Sequence, residues 1–447
     1  MNQDAKTREF YNKYGEREWE RLEKSAYDRL NFLIHMDFIK DSLISGIECI
    51  DVGCGAGRFS IELTKAQCNV TLFDISDKQL SLAKDMINKF GEGSRVKDFL
   101  LGSIADMNAL QDNQFDVTVC YGAPLNYLFD DYKKGIQELY RITKPGGRIF
   151  VSVNSRLGVI RGLMGRNNFD IVGFMGMPEY WYIKEVIESG DLPEHPEVEH
   201  PARHFFISSE LESLFGAVGF EAIELGSSPS ILSGLNSRAE ELYTNDIAWK
   251  TTVELELKTY RMDGLADSGE FLLLRGRKPK YPTITTKSFT IRLIRESDSK
   301  SLFRCYNDKK AVEYMNDDNC DFGFYVDSEE KMQETIGYWI DFYQKQYFVR
   351  FSIVDNATEN AVGTIEGFGG ETGVLRVDIC GEYEKACYLS ELLNFAKDNF
   401  KAFFGNDYLV TKAISKATER REAIVNNGWE FVDTHRDYRD YYRIKLI

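Results

Sequence analysis

The segment Ile50-Asp51-Val52-Gly53-Cys54-Gly55-Ala56-Gly57 constrains the fold more tightly than any other stretch of these 447 residues. An apolar run meets three glycines at alternate positions. A helical pattern follows through Phe59, Ile61 and Leu63, and a second apolar run ends on Asp74. Glycine permits the tight turn and lets main-chain N–H groups come close to a ligand. An acid closing the next strand can accept both hydroxyls of a ribose. The segment reads as a βαβ unit that holds a nucleoside.

Spacing separates the nucleosides. A dinucleotide fingerprint, G-x-G-x-x-G, seats a pyrophosphate on the helix N-terminus. Here the run is Gly53-x-Gly55-x-Gly57 with Arg58 next, and Asp51 precedes the glycines. That acid repels a pyrophosphate but can receive a cationic amino group. The pattern resembles motif I of class I S-adenosylmethionine methyltransferases, whose cofactor carries an ammonium and a sulfonium.

The rest of the domain follows in register. Strands are expected at Val70–Asp74, Leu100–Ile104 and Phe115–Cys120, with an amphipathic helix over Lys78–Phe90 between the first two. A helix through Tyr140 then meets Lys144-Pro145-Gly146-Gly147, read as a turn before a fifth strand, Arg148–Val153. A capped helix from Ser208 to Phe215, a sixth strand at Phe220–Leu225, a helix over Leu235–Leu257 and a seventh strand at Phe271–Lys278 complete the pattern. Alternating strands and helices predict an α/β fold with a parallel sheet and ligands at the strand C-terminal ends. The resemblance covers residues 8–278 and implies a Rossmann-like, seven-stranded class I methyltransferase domain.

Residue by residue, that resemblance implies that Gly53, Gly55 and Gly57 carry the methionine portion of the cofactor, with Asp51 near its ammonium. It places the ribose on Asp74 and the adenine against Ile75 and Ile104. Ser103 stands where many relatives have an acid, a departure that leaves an uncharged acceptor for the adenine amino group. Tyr121 follows the fourth strand, where the reactive methyl is expected.

The N-terminal run Glu9 to Arg21 is aromatic and charged, with helical spacing after Tyr14. It resembles the opening of a bacterial methyltransferase subfamily whose first helices fold over the cofactor, which adds Tyr11 and Tyr14 to the cofactor site. An amphipathic helix capping the sheet, with Trp19 and Tyr14 as core, is the alternative.

Residues 154–206 form a long insertion containing Arg156, Arg161, Arg166, Gly173-Phe174-Met175-Gly176-Met177, Tyr180-Trp181-Tyr182, His195, His200 and His204. Loops of this length are uncommon unless functional. A lid that selects the acceptor is one reading, with His204, Tyr14 or Tyr121 as candidate catalytic bases. A helical hairpin with a small satellite core is the other. His200 and His204 could share a helix face, but Pro201 interrupts it, so no metal site is expected. The eight cysteines show no C-x-x-C pair, and Cys49, Cys54, Cys68 and Cys120 read as small core residues. That usage fits a reducing, cytoplasmic setting.

A chain this long exceeds one core, and Pro279 and Pro282 punctuate it near residue 280. The expected domains are 1–280 and 281–447, with net charges of −10 and −6 within the total of −16. Two acidic halves argue against a primary role on nucleic acid, no apolar run reaches membrane-span length, and the N-terminus does not resemble a signal peptide.

In the second half, strands are expected at Phe289–Ile294, Phe348–Val354, Ala361–Gly367 and Val374–Cys380. A long helix over Tyr388–Phe400, a strand at Tyr408–Ile414, a helix from Thr418 and a last strand at Tyr441–Leu446 follow. This order, with Gly428-Trp429-x-Phe431, resembles the GNAT acetyltransferase superfamily, in particular its ribosomal-protein N-acetyltransferase branch. The stretch matching the family's pyrophosphate turn is Gly381-Glu382-Tyr383-Glu384-Lys385-Ala386-Cys387-Tyr388-Leu389, in which larger side chains occupy both of the motif's glycine positions. Glu382 and Glu384 would stand where phosphates lie, and one like-charge contact near 4 Å costs on the order of 4 kcal/mol. Ordinary acetyl-CoA binding is therefore not expected. Recognition, homo-oligomer formation or regulation are the roles left to this domain.

The resulting expectation is an S-adenosyl-L-methionine-dependent methyltransferase, releasing S-adenosyl-L-homocysteine, that acts on a small-molecule acceptor. Rival readings are a bifunctional methyl- and acetyltransferase, a modifier of tRNA or a ribosomal protein, and a non-enzymatic cofactor-sensing scaffold.

Overall fold

The structure, a computed structural model, describes residues 2–164, 185–194, 200–318, 320, 323–345, 347–368 and 370–446. It divides into two compact units, Met1–Lys280 and Tyr281–Ile447.

In the first unit, strands β1 (Glu48–Val52), β2 (Asn69–Asp74), β3 (Val96–Leu101), β4 (Phe115–Cys120) and β5 (Thr143–Asn154) lie parallel. Two short strands, β6 (Asp191–Leu192) and β7 (Arg203–His204), pair with each other apart from this sheet. Strands β8 (Glu221–Ser228) and β9 (Phe271–Arg277) complete it, and β9 runs antiparallel to both of its neighbours. The order is β3-β2-β1-β4-β5-β9-β8. The chain reverses direction across the sheet between β1 and β4, which opens a crevice at their C-terminal ends.

Helices cover both faces. Strand β1 is buried on both sides from Cys49 to Val52 because it is sandwiched between them. On one face α3 (Ala26–Ile39) buries Tyr27, Leu30, Ile34 and Phe38 with α4 (Arg58–Lys65) and α5 (Asp77–Phe90). On the other, α6 (Tyr132–Ile142) and the helix Ser208–Ala217 bury Ile136, Leu139, Leu211 and Phe215. Each such side chain contributes about 1.5–3 kcal/mol of transfer free energy. Helices α1 (Gln3–Tyr14) and α2 (Arg17–Glu20) lie over the strand ends, while α7 (Arg156–Met164) begins the insertion.

Several boundaries depart from the sequence expectation. The third strand spans Val96–Leu101 and ends before Ser103, which instead closes a bridge to Asp106. The Lys144-Pro145-Gly146-Gly147 run lies inside β5, where the β4–β5 register shifts and Gly146 has φ +81°. The helix expected over 235–257 is two helices, Asn236–Tyr243 and Asp246–Thr259, because the Asn245 side chain caps the second at the N–H groups of Ile247 and Ala248. Of the insertion, Arg166, Gly173 to Met177, Tyr180 to Tyr182 and His195 lie outside the described residues.

The second unit has a sheet ordered β10-β11-β12-β13-β15 and another ordered β14-β16-β18-β17. Their strands are β10 (Ile284–Thr285), β11 (Phe289–Leu293), β12 (Val349–Asp355), β13 (Ala361–Gly367), β14 (Thr372–Val374), β15 (Arg376–Ile379), β16 (Tyr408–Lys412), β17 (Glu430–His435) and β18 (Tyr438–Lys445). The single strand expected at 374–380 is thus split at Leu375, and its halves join different sheets. The helix Ala386–Phe404 buries Leu389, Leu392, Leu393 and Phe400 and ends at Gly405, with φ +72°. Glu384 does not present a free charge, because Arg420 grips it at 2.7 and 2.8 Å and both side chains are buried. The Ala386 N–H, at the start of the long helix, donates to Glu419 at 2.8 Å.

Candidate functional site

A cavity of about 820 Å³, counting its open mouth, sits where β1, β2 and β4 end. Its floor is the glycine turn. Gly53, Gly55 and Gly57 have φ of +72°, +51° and +80°, which side-chain-bearing residues rarely adopt. A Cβ on Gly53 would stand 2.6 Å from the Pro124 Cβ, and one on Gly57 would stand 3.0 Å from the Ala83 Cβ. The glycines therefore let the fourth-strand loop and α5 close in. They do not present a row of free N–H groups. Gly53 and Cys54 donate to the Phe73 carbonyl, Gly57 donates to the Cys54 carbonyl, and Gly55 donates to Asp74 at 2.8 Å. The N–H groups of all three glycines are thus taken up inside the protein.

Asp74 and Ile75 line the cavity at the end of β2. The Asp74 carboxylate accepts the N–H groups of Gly55 and Ser76, both at 2.8 Å. Burial pushes its pKa up to about 6, against the pull of those N–H groups. Ile104 and Leu128 add an apolar wall, and Tyr11, Tyr127, Phe59 and Tyr121 add aromatic faces.

Helix α1 forms part of the roof. Its side chains tie it to the strand ends: Arg8 donates to the Ile75 carbonyl at 2.9 Å and Gln3 to those of Tyr127 and Ala202, both at 2.8 Å. Gln79 of α5 reaches back to the carbonyls of Tyr11 and Gly15 at 3.2 and 3.0 Å. Beyond it, Glu18 and Arg21 line the cavity as an ion pair.

Of the residues expected from sequence, Gly53, Gly55, Asp74, Ile75, Ile104, Tyr121 and Tyr11 line this cavity. Asp51, Gly57, Ser103 and Tyr14 do not. Asp51 is buried behind the turn and accepts the Ser60 hydroxyl at 2.6 Å, and burial pushes its pKa up to about 7. The Ser103 hydroxyl accepts the Ala105 N–H within its own turn. Tyr14 stacks on Phe10 at 5.7 Å, with Arg17 over its ring.

Burial raises the Tyr121 phenol well above its ordinary value, and its hydroxyl donates to the His35 carbonyl at 3.3 Å. Burial raises Tyr14 too. His204 lies in β7 rather than on a helix with His200, outside the cavity lining. Its ring stacks on Tyr132 at 4.7 Å, and its nitrogens meet Asp191 at 2.6 Å and Glu210 at 3.0 Å. Burial opposes its charge, but these carboxylates outweigh burial and its pKa stands above the ordinary value. The ring is thus engaged at both nitrogens.

Sequence reasoning missed Glu18, Arg21, Arg58, Phe59 and Tyr127 as cavity residues. Glu18 and Arg21 belong to the charged, aromatic N-terminal run, so the segment carried a signal that its individual positions did not. Among the described residues no cluster of His, Cys, Asp and Glu could hold a metal, and no helix is long and apolar enough to cross a membrane.

Comparison with known proteins bears on the same region. Residues 50–151 match the family model described as Methyltransferase domain. A demethylmenaquinone methyltransferase of Leptospira interrogans is 32% identical over 171 residues, covering 35% of this chain and 66% of that protein. A ubiquinone biosynthesis O-methyltransferase of Xylella fastidiosa is 30% identical, covering 28% and 48%. The chain thus spans between about half and just under two thirds of the length of these two relatives. A solved SAM-dependent methyltransferase from Thermotoga maritima is similar over 62% of this chain and 100% of its own, with 18% identity and a TM-score of 0.37. Residues 50–151 form a class I methyltransferase domain.

Proposed function

We propose that the first unit is an S-adenosylmethionine-dependent methyltransferase acting on a small-molecule acceptor. One observation carries this reading. A cavity at the β1/β2/β4 ends pairs a ribose-competent carboxylate, Asp74, with a turn whose three glycine N–H groups are already bonded within the protein. That combination suits a nucleoside joined to a cationic, phosphate-free group. Asp74 would hold the ribose, Ile75 and Ile104 would flank the adenine, and Gly53 and Gly55 would admit the methionyl chain. The cofactor supplies an electrophilic methyl on a sulfonium, so the chain's task is to bind, align and exclude water. The neutral phenols of Tyr11 and Tyr121 offer no base at pH 7, which suits an acceptor that arrives already nucleophilic.

The relatives' names, a demethylmenaquinone methyltransferase and an O-methyltransferase of ubiquinone biosynthesis, support a small organic acceptor. Isothermal titration of the full chain with S-adenosylhomocysteine tests the cofactor, with saturable one-site binding expected. No heat from folded protein would overturn the reading.

We infer that the second unit is GNAT-like. Its order of a strand, helices, paired strands, a long helix, a strand, a helix and a closing hairpin supports this. Glu419 at the head of the long helix and the buried Glu384–Arg420 pair favour a recognition, dimerisation or regulatory role over acetyl transfer. Acetyl-CoA is expected to leave the melting of this unit unchanged, and a saturable stabilisation would restore the bifunctional reading.

A further inference from the structure

The cysteines are all free thiols, and some of them meet in pairs. The Cys49 and Cys68 thiols share a hydrogen bond in the first unit, and those of Cys305 and Cys380 share one in the second. Access separates the pairs. Cys49, Cys68 and Cys305 are fully buried, whereas Cys380 is partly exposed. The second pair therefore joins a sulfur that solvent reaches to one that it does not.

The chain around this pair holds it together. Cys380 directly follows β15, and its N–H still donates to the Val362 carbonyl at 2.9 Å, so the ladder with β13 continues through it. Asp378 and Cys380, two residues apart, thus share one face of the sheet. On that face Asp378 accepts the Tyr306 hydroxyl at 2.8 Å, and Cys305 precedes Tyr306 in the helix Ser299–Tyr306. Just beyond, a Cβ on Gly381 would stand 3.1 Å from the Asp308 Oδ2. The helix end and the strand end are therefore pinned on both sides of the thiols. Cys305 and Cys380 also pack in one apolar cluster with Leu302, Met332 and Ile336.

Unequal burial gives the two sulfurs different chemistry. The thiolate is the nucleophile towards an oxidant, and it forms more readily where water reaches it. The Cys305 S–H, donated to the Cys380 sulfur, holds the Cys380 thiol below its ordinary pKa, against burial and the nearby Glu382 and Asp308 carboxylates. The same hydrogen bond, with burial, pushes Cys305 well up.

We propose that Cys380 and Cys305 are a peroxide-oxidised thiol pair, in which Cys380 takes the oxygen and Cys305 closes a disulfide. The Cys380 thiolate attacks one oxygen of a hydroperoxide. The O–O bond breaks, Cys380 becomes a sulfenic acid, and the departing oxyanion takes a proton from solvent. The Cys305 sulfur then attacks the Cys380 sulfur and gives up its proton. The S–O bond breaks, and hydroxide leaves with that proton as water. The thiols lose two electrons between them, and the peroxide gains two. The new bond, about 2.04 Å long, would lock the helix Ser299–Tyr306 to the end of β15 and protect Cys380 from further oxidation. This site is independent of the cofactor reading and of any acetyl transfer.

The test treats the full chain with hydrogen peroxide, alkylates the remaining thiols and maps the peptides by mass spectrometry. A cross-linked Cys305–Cys380 peptide is expected, while Cys49 and Cys68 stay reduced in the folded chain. Cys305→Ser is expected to stop at a Cys380 sulfenic acid that dimedone traps. Cys380→Ser is expected to slow the loss of the Cys305 thiol by about 10-fold or more. Mapping the native chain needs no variant, so it decides the matter even where a serine variant does not fold. A native chain that loses its Cys320 or Cys387 thiol and keeps Cys380 reduced overturns the pair. So does oxidation of Cys380 with no bond to Cys305. Cross-linking of Cys49 to Cys68 at the same rate also overturns it, because exposure would then decide nothing.

Discussion

Asp74 accepts the Gly55 main-chain N–H at 2.8 Å, so the acid that ends the second strand also braces the glycine turn of the first. Its second oxygen takes the Ser76 N–H, at the start of α5. Asp74→Asn would leave one acceptor oxygen where two N–H groups and a ribose compete. We expect S-adenosylhomocysteine affinity to fall about 10- to 100-fold, in line with losing charge-assisted hydrogen bonds of ~1.5–3 kcal/mol. Calorimetry checks this, and unchanged affinity would locate the ribose elsewhere.

The protonation of Asp74 should also be visible in binding. Burial sets its pKa at about 6 in the free protein, so the carboxylate is largely protonated at pH 5 and largely ionised at pH 7. A ribose donating two hydroxyls prefers the ionised form. Affinity for S-adenosylhomocysteine is therefore expected to strengthen as pH rises from 5 to 7, with release of a proton. Titrations in two buffers of different ionisation enthalpy read that release directly, and flat affinity across the window would count against Asp74.

Asp51 gives the matching stability prediction. Burial raises its folded pKa to about 7, well above an unfolded value of about 4. Between these values the folded chain holds a proton that the unfolded chain has released, so Asp51's contribution to stability falls as pH rises. Asp51→Asn has no such proton to lose. Its stability relative to the native chain is expected to improve from pH 4 to pH 8 by on the order of 3 kcal/mol, measured by urea denaturation at each pH.

The glycine turn was legible because its demands are local. Gly53→Ala places a Cβ 2.6 Å from Pro124 at a φ of +72°. Either the fourth-strand loop moves or the turn does. We expect the variant to lose measurable cofactor binding and to be destabilised by about 1–3 kcal/mol. A crystal structure that shows the turn unmoved would refute the steric account.

The strand periodicity, the glycines and Asp74 could be read from residue order because each is decided within a few neighbours. What escaped was decided by tertiary packing. Glu256 looks like one more acid on a charged helix. It is fully buried, and it accepts the N–H groups of Ser230, Ile231 and Leu232 and the Ser230 hydroxyl, all between 2.6 and 3.0 Å. Nothing near position 256 announces a loop that will need an acceptor. The same holds for Asp51: its place before the glycines suggests a ligand, and the fold buries it against Ser60, in the first turn of α4. Glu18 and Arg21 were hidden differently: their spacing marks an ordinary i, i+3 surface pair, and only the fold brings them over Gly55 and Gly122.

His204 is a candidate base by sequence whose surroundings suit a structural role, and the two can be separated. A catalytic base must keep a lone pair for the reacting proton, yet this ring lies between Asp191 and Glu210 and packs on Tyr132 and Phe206. His204→Gln is expected to lower the stability of the first unit by about 1–3 kcal/mol, because Glu210 and Asp191 lose a shared partner. Glu210 keeps Arg156 at 3.1 Å, which limits the damage. The deficit should be largest in acid. The folded ring is held above its unfolded pKa, so the stability it contributes is fully present below about pH 6.5 and fades as pH rises through the higher folded value. Cofactor affinity should stay within about twofold of native, because the ring does not line the cavity. Thermal melts at pH 5.5 and 8.5 beside calorimetry at pH 7.5 distinguish the cases. A variant with native stability at both pH values and no turnover would return His204 to the catalytic set.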